Sequence, residues 1–161
     1  MPNKYGYPLM PLQGFGAYTL SAATNDDFDF VYRLKRIAYR EYVEQTWGWD
    51  DQFQTKFHKN SFAEGNTKII RAGDQPIGSV DVKEGDASIF ISGLYLLPDY
   101  QSQGIGTKIM RDLIKEAEEK KKRLELEVLK VNIRAQKLYL RLGFKMEERD
   151  KEKYFMYKDQ K

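Results

Sequence analysis

The sequence predicts an α/β fold of the α+β type: a mixed, mostly antiparallel sheet of six to seven strands with about four helices. Two observations carry this. Near Thr67 the apolar pattern changes from a helical period to β-formers, which turns at Gly73-Asp74 and Gly85-Asp86 divide into hairpins. A single strand–helix–strand segment then follows, and such crossovers are right-handed and bring their two strands side by side in parallel.

In order, Ala17–Ala22 reads as the first strand. Thr24 with Asp27 three residues on resembles a capping box. Phe28, Val31, Leu34, Ala38 and Tyr42 then recur near a helical period, and this helix should stop around Trp47–Gly48. A second helix is predicted over Asp50–Phe62, with Phe53 and Phe57 on one face. Strands follow over Thr67–Ala72, around Ile77, Val80 and Val82, and over Ala87–Leu97, where Pro98 has no amide hydrogen to continue the ladder. Gly104 to Lys122 is an amphipathic helix with Ile105, Ile109, Leu113 and Ala117 inside. Arg123–Leu129 is a strand and Asn132–Leu142 a short helix closed by Gly143, which fits a left-handed position. Phe144–Glu148 and Tyr154–Tyr157 make a final hairpin.

A length of 161 residues suits one domain. The expected division is an irregular extension over 1–16, rich in proline and glycine, and a single domain over 17–161. Met1–Gly16 lacks a basic segment followed by a long apolar one, so no secretory signal is expected. No apolar run approaches the roughly 20 residues that cross a bilayer. Cysteine is absent, which removes disulfides, thiolate metal sites and a cysteine nucleophile, and is compatible with a cytoplasmic protein. The net charge of +3 is too small to argue for nucleic acid. The basic run Lys120–Arg123 reads as a solvated helix end. His58 is the only histidine, so a two-histidine metal site is impossible, and it reads as a surface or packing residue; no metal is expected. A hydrolase triad has no nucleophile-elbow motif to support it.

The segment Leu96-Leu97-Pro98-Asp99-Tyr100-Gln101-Ser102-Gln103-Gly104-Ile105-Gly106-Thr107 leaves a strand and opens a helix. Free amides at a helix N-terminus carry partial positive charge and attract anions. Gly104 and Gly106 allow close backbone approach. A Walker loop is absent. A dinucleotide fingerprint fails because Ile109 stands where a third small residue is required.

Gln101-Ser102-Gln103-Gly104-Ile105-Gly106 resembles the acetyl-CoA signature Q/R-x-x-G-x-G/A of the GCN5-related N-acetyltransferase (GNAT) superfamily. Pro98-Asp99-Tyr100-Gln101 and Asn132 followed by Tyr139-Leu140-Arg141-Leu142-Gly143-Phe144 are similar to that family too, in matching order and separation. The likeness extends over Ala17–Tyr157. It implies a sheet whose central parallel strands splay to admit acetyl-CoA. By this resemblance the pantetheine arm pairs with Leu94, Tyr95 and Leu96. Gln101, Ser102, Gln103, Gly104, Ile105, Gly106 and Thr107 hold the pyrophosphate. Asn132 contacts the pantetheine or helps open the strands, and Ala135 is small enough to let its helix approach.

The implied reaction passes an acetyl group to a primary amine by direct attack in a ternary complex. Lysine-like amines, with pKa about 10.4, are neutral in about 1 molecule in 2,500 at pH 7, so they gain most from a base or a water chain. Tyr139 matches the family's tyrosine in N-x-x-A-x-x-x-Y, and its phenol would serve the leaving sulfur as an acid. On residue chemistry alone it reads as a helix-face core aromatic, and it is the motif that turns it toward the cofactor. Glu125 and Glu127 share one face of their strand. Glu127 resembles the glutamate proposed as base in ribosomal-protein alanine acetyltransferases, and it reads either as base or as a structural partner of nearby cations. Asp81, Glu44 and Glu41 are weaker candidates, and water could act alone.

The family's acceptor groove lies at the connection of the first two helices, here containing Trp47-Gly48-Trp49-Asp50 and similar to a bacterial subgroup with a W-G-W-D segment. Trp47 and Trp49 can wall a groove while Asp50 pairs with a cationic amine. Alternatively, the tryptophans pack the corner and Asp50 caps the next helix. The acceptor is a small molecule or a peptide amine. A second reading is a non-catalytic acetyl-CoA-binding sensor or interaction module. Neither nucleic acid nor a membrane is expected as partner, and the protein is read as monomer or homodimer.

Overall fold

The computed structural model describes residues 17–160; the expected extension Met1–Gly16 lies outside them. The chain runs β1 (Thr19–Ala22), α1 (Phe28–Thr46), α2 (Asp51–Ala63), β2 (Thr67–Ala72), β3 (Gln75–Glu84), β4 (Ser88–Leu96), α3 (Ile105–Glu119), β5 (Arg123–Leu129), α4 (Ile133–Arg141), β6 (Lys145–Glu148) and β7 (Lys153–Lys158). Short 3-10 turns at Asn25–Asp27 and Pro98–Tyr100 lead out of β1 and β4. The strands form one seven-stranded sheet in the order β1-β2-β3-β4-β5-β7-β6. Every pair is antiparallel except β4 and β5. This is the mixed fold that the hairpins and crossover predict. The last hairpin adds a detail that they do not: β7 lies between β5 and β6.

Local chemistry explains the element ends. The Asp27 carboxylate accepts the Thr24 amide at 2.8 Å, the backward half of a capping box, and α1 starts one residue later. Gly48, at φ +78°, turns the chain out of α1. Gly143, at φ +93°, does the same after α4.

The core sits where α1 and α3 pack on the sheet. Val31 and Leu34 of α1 are fully buried. On α3 the predicted face of Ile105, Ile109, Leu113 and Ala117 is buried, joined by Met110. Each of the larger aliphatic side chains gains roughly 1.5–3 kcal/mol on leaving water, and the Ala117 methyl less. Met156 of β7 and Phe144 close the same cluster.

The second helix departs from expectation in what it buries. Phe53 and Phe57 share a face and stack at 6.2 Å, but that face looks outward, with 63% and 59% exposure. The buried residue of α2 is His58. Its ring packs against Phe28 at 4.5 Å, Tyr32 at 5.1 Å and Phe62 at 5.6 Å, and its Nε2 lies 3.2 Å from the Phe28 carbonyl oxygen. The three aromatic neighbours pack the ring faces, and the Phe28 carbonyl is the one polar partner that the ring keeps among the described residues. The basic run after α3 is exposed except for the half-buried Lys122, and it also binds across the fold, with Lys120 and Lys122 on Glu84 at 3.0 and 2.8 Å.

A cleft between two parted strands

β4 and β5 are hydrogen-bonded neighbours only over Ser88–Ile91 and Arg123–Leu126. Beyond that point β4 follows β3 to Leu96, and β5 follows β7 to Leu129. A register shift between Asp81 and Val82 pairs them with Gly93 and Ile91, leaving Ser92 as an extra residue in β4. Such a bulge bends its strand. Between the parted strands lies a cleft of about 620 Å³, and the freed edge of β4 offers backbone groups to it.

The loop after β4 forms one end of the cleft. Gly104 is the N-cap of α3, at φ +84°. A Cβ there would meet nothing within 4 Å, so the backbone conformation, not crowding, calls for glycine. The opening amides of α3 have no intrahelical acceptor and face the anion side of the helix dipole. Gln101 Nε2 donates to the Leu96 carbonyl at 2.9 Å, and Gln103 Nε2 donates to the Asp99 carbonyl. Arg134, on the first turn of α4, donates to Gln101 Oε1 at 3.3 Å and to Ser102 Oγ. These contacts tie both helix starts to one loop.

Most of the expected cofactor residues line this cleft: Leu94, Tyr95, Leu96, Gln101, Ser102, Gly104, Gly106, Thr107, Asn132, Ala135 and Tyr139. Gln103 and Ile105 do not. Gln103 turns to Asp99, and Ile105 is 2% exposed in the core, so each has only its backbone to contribute. Asn132 also caps α4, its Oδ1 accepting the Ala135 amide at 3.2 Å.

Tyr139 lies beside Phe144, with centroids 5.7 Å apart, and burial pushes its phenol up to about 12. Two further tyrosines join it at the cleft: Tyr95, expected there for its backbone, and Tyr39, which the sequence reading did not single out. Tyr39 of α1 packs edge-on to Tyr95 at 5.5 Å. Burial, then the neighbouring Tyr139, raises Tyr39 to about 12, and Tyr95 is raised well above its usual value by burial, Tyr39, Asp81 and Tyr139. All three are therefore neutral hydrogen-bond donors at pH 7. Behind them, Lys35 Nζ sits 5.7 Å from the centre of the Tyr95 ring and 3.6 Å from Asp81, whose other oxygen accepts from Thr67 at 2.5 Å.

Glu127 also lines the cleft. Its carboxylate meets Arg149 at 3.1 Å and Lys153 at 3.5 Å. Asp81 is buried in its own ion pair, and Glu44 pairs with Arg40 at 2.8 Å.

Trp47, Trp49 and Asp50 stand outside the cleft lining. Asp50 caps α2 by accepting the Phe53 amide at 2.8 Å. Trp49 Nε1 donates to Asp51 at 2.8 Å, under the Arg40 guanidinium at 5.3 Å. Trp47 is 55% exposed with Lys153 Nζ 5.7 Å from its ring centre, which connects it through that lysine to Glu127. From α1, the cleft receives Ala38, Tyr39 and Tyr42. The other residues missed are Arg134, Lys137 and Arg141, cations spaced three and four apart on α4; that helical spacing was available as a signal. Among the described residues, no three histidine, aspartate or glutamate side chains group as a metal site.

Comparison with known proteins is consistent with this architecture. The family model of the Acetyltransferase (GNAT) family matches residues 28–144. Among solved structures, the PaiA N-acetyltransferase of Thermoplasma acidophilum, in complex with coenzyme A, superposes with a TM-score of 0.70 at 17% identity, covering 89% of this chain and 99% of that one. The ribosomal-protein-S18-alanine N-acetyltransferase of Escherichia coli gives a TM-score of 0.65 at 21% identity, covering 88% and 92%. The N-acetyltransferase PseH of Campylobacter jejuni, in complex with acetyl coenzyme A, gives 0.61 at 23%, covering 90% and 100%. No curated protein matches the sequence. The structural likenesses carry the fold, and the family match, which spans more than half of the sequence, establishes that the chain belongs to the GNAT acetyltransferase family.

Proposed function

We infer that the protein is an acetyl-CoA-dependent N-acetyltransferase whose acceptor is a primary amine of a small molecule or peptide, attacked directly in a ternary complex. The observation that carries this is the cleft itself. A loop suited to phosphate, a free strand edge and a buried phenol follow one another along one cavity. The coenzyme A and acetyl coenzyme A complexes of the PaiA and PseH proteins support the same ligand for this chain.

When bound, acetyl-CoA supplies an activated thioester carbonyl. The amides of Gly104, Ile105, Gly106 and Thr107, with Arg134 alongside, hold its pyrophosphate. The edge of β4 at Leu94–Leu96 takes the pantetheine amides as a strand would. Tyr139, kept protonated by burial, gives its Oη proton to the departing sulfur. Glu127 accepts the amine proton directly or through water, and Arg149 and Lys153 fix the carboxylate in place. Tyr39 and Tyr42 wall the acceptor end from α1. The domain so defined is 17–161.

The experiment is a melting measurement with and without acetyl-CoA, on wild type and on a Gly104→Glu, Gly106→Glu variant. Saturation about 100-fold above the dissociation constant should add roughly 2.7 kcal/mol. A rise in wild type that the variant loses supports the assignment, and an amine panel then measures turnover. A folded wild type that gains nothing from acetyl-CoA would defeat it.

One observation favours a second reading, a non-catalytic acetyl-CoA-binding module. Both Glu127 oxygens are engaged by cations, so the cleft offers no unpaired carboxylate as base. Binding without turnover over the amine panel would select that reading.

A further inference from the structure

On the acetyl-CoA reading above, on which the present inference rests, the ligand has a direction in the cleft. It starts at Gly104–Thr107 and runs back along β4 from Leu96 to Leu94. Its thioester end therefore arrives at Gly93 and Ser92, both of which line the cleft. That end is occupied by a ring. Tyr95 folds back over Gly93, where a Cβ would fall 2.5 Å from its Cε2, 2.8 Å from its Cζ and 2.7 Å from its hydroxyl oxygen. Tyr39 of α1 packs edge-on against the ring at 5.5 Å. Lys35 Nζ stands 5.7 Å from the ring centre and is itself held by Asp81 at 3.6 Å. Asp81 accepts in turn from the Thr67 hydroxyl at 2.5 Å. Tyr139, set at the sulfur in the proposed function, is near enough to raise the pKa of both Tyr39 and Tyr95. The Tyr95 ring thus lies at the reacting end of the ligand, with an aromatic neighbour and an ion-paired cation against it.

A ring packed in this way is a wall and not a flap. An acetyl group carries one methyl beyond its carbonyl carbon, and each longer acyl chain adds methylenes to it. Room for them would require Tyr95 to leave its rotamer and Tyr39 to shift, and packed interiors resist such changes. The geometry points to the Tyr95 ring, backed by Tyr39, as the wall that closes the acyl pocket, so that the protein takes acetyl-CoA and rejects longer acyl-CoA donors. The effect is steric and belongs to the ring, not to the hydroxyl. Tyr95 then has two separate parts: its backbone lies along the pantetheine, and its side chain sets the length of the acyl group. Glycine at position 93 is what leaves space for the ring to lie there.

The test is calorimetric titration of the full chain, without an acceptor, using coenzyme A, acetyl-CoA, propionyl-CoA and butyryl-CoA. Coenzyme A has no acyl group, so it measures how far each variant disturbs the rest of the cleft, and every ratio is read against it. Wild type should bind acetyl-CoA about tenfold or more tightly than butyryl-CoA, with propionyl-CoA between them. In Tyr95→Ala that ratio should fall to about twofold or less. Tyr95→Phe keeps the ring and should keep the wild-type ratio. Tyr39→Ala leaves the ring in place without its neighbour, and its ratio should lie between those of wild type and Tyr95→Ala. Equal binding of acetyl-CoA and butyryl-CoA by wild type overturns the inference. A ratio that survives in Tyr95→Ala also overturns it, since the pocket then ends elsewhere, and so does a ratio lost in Tyr95→Phe, since the hydroxyl then reads the chain. If Tyr95→Ala does not fold, Tyr39→Ala decides, and an unchanged ratio there overturns the backed wall. Failure of folded wild type to bind any of these ligands would instead sink the acetyl-CoA reading itself.

Discussion

A side chain at Gly93 would collide with Tyr95: a Cβ there falls 2.5 Å from Tyr95 Cε2 and 2.7 Å from its hydroxyl oxygen. The tyrosine ring folds back along its own strand and covers the glycine beside the bulge in β4. Tyr39 packs against that ring, so it has little room to swing away. Gly93→Ala should therefore destabilise the fold by about 1–3 kcal/mol, as overpacking does. Removing the ring in Gly93→Ala, Tyr95→Leu should make the two changes less than additive. Denaturant titration of both single variants and the double measures this, and strict additivity would contradict the steric account.

The two glycines of the loop should respond in opposite directions. Gly104 needs a left-handed backbone, and alanine there costs roughly 1–2 kcal/mol. Gly106 lies within α3, where a Cβ meets only Leu96 Cδ1 at 3.8 Å. Gly106→Ala should add up to about 1 kcal/mol through helix propensity. Melting curves of the two variants without ligand give the signs.

Asp50 separates capping from acceptor binding. Asp50→Ala should cost about 1 kcal/mol, while Asp50→Asn keeps an oxygen for the Phe53 amide and should be near neutral. If Asp50 also binds a cationic acceptor, Asp50→Asn will raise the acceptor KM without changing stability. An unchanged KM leaves the residue as a cap alone.

Buried phenols make the fold sensitive to alkali. Tyr39 and Tyr139 titrate near 12 in the folded protein and near 10 when unfolded. Their folded pKa values are raised, so this stability is complete below pH 10 and is lost as pH rises from there through about 12. Tyr139→Phe should flatten the fall in melting temperature over that window and slow turnover at pH 7. A variant with wild-type turnover would remove Tyr139 from the proton path.

His58 has the reverse dependence. Burial, then Lys35, lowers its pKa, opposed by the Phe28 carbonyl, Asp81 and Asp29. Its Nδ1 is buried without a partner. The stability given by the neutral ring is full above the unfolded value of about 6.5 and declines as pH falls toward the folded value. His58→Phe should weaken the slope of stability between about pH 7 and pH 5. An identical slope would mean that carboxylates alone set it.

The strands, the four helices and the crossover were legible in the sequence because each depends on local rules. Period-two apolar residues, Gly-Asp turns, the proline after Leu97 and the Ile105–Ile109–Leu113–Ala117 stripe act within a few residues of themselves. The loop at Gln101–Thr107 was legible for the same reason, since a left-handed glycine and a helix start are adjacent in the chain.

What the sequence could not determine depends on residues far apart in it. Only tertiary packing inserts β7 between β5 and β6, and so brings Lys153 and Arg149 onto Glu127. It alone turns Phe53 and Phe57 outward while burying His58, because the choice of face belongs to the partner helix and not to the period. It sets Tyr39 and Tyr95, 56 residues apart in the numbering, in contact at the cleft. Periodicity fixes which residues share a face. The free energy of burying one face against a distant partner decides where that face points, and that partner is known only once the chain is folded.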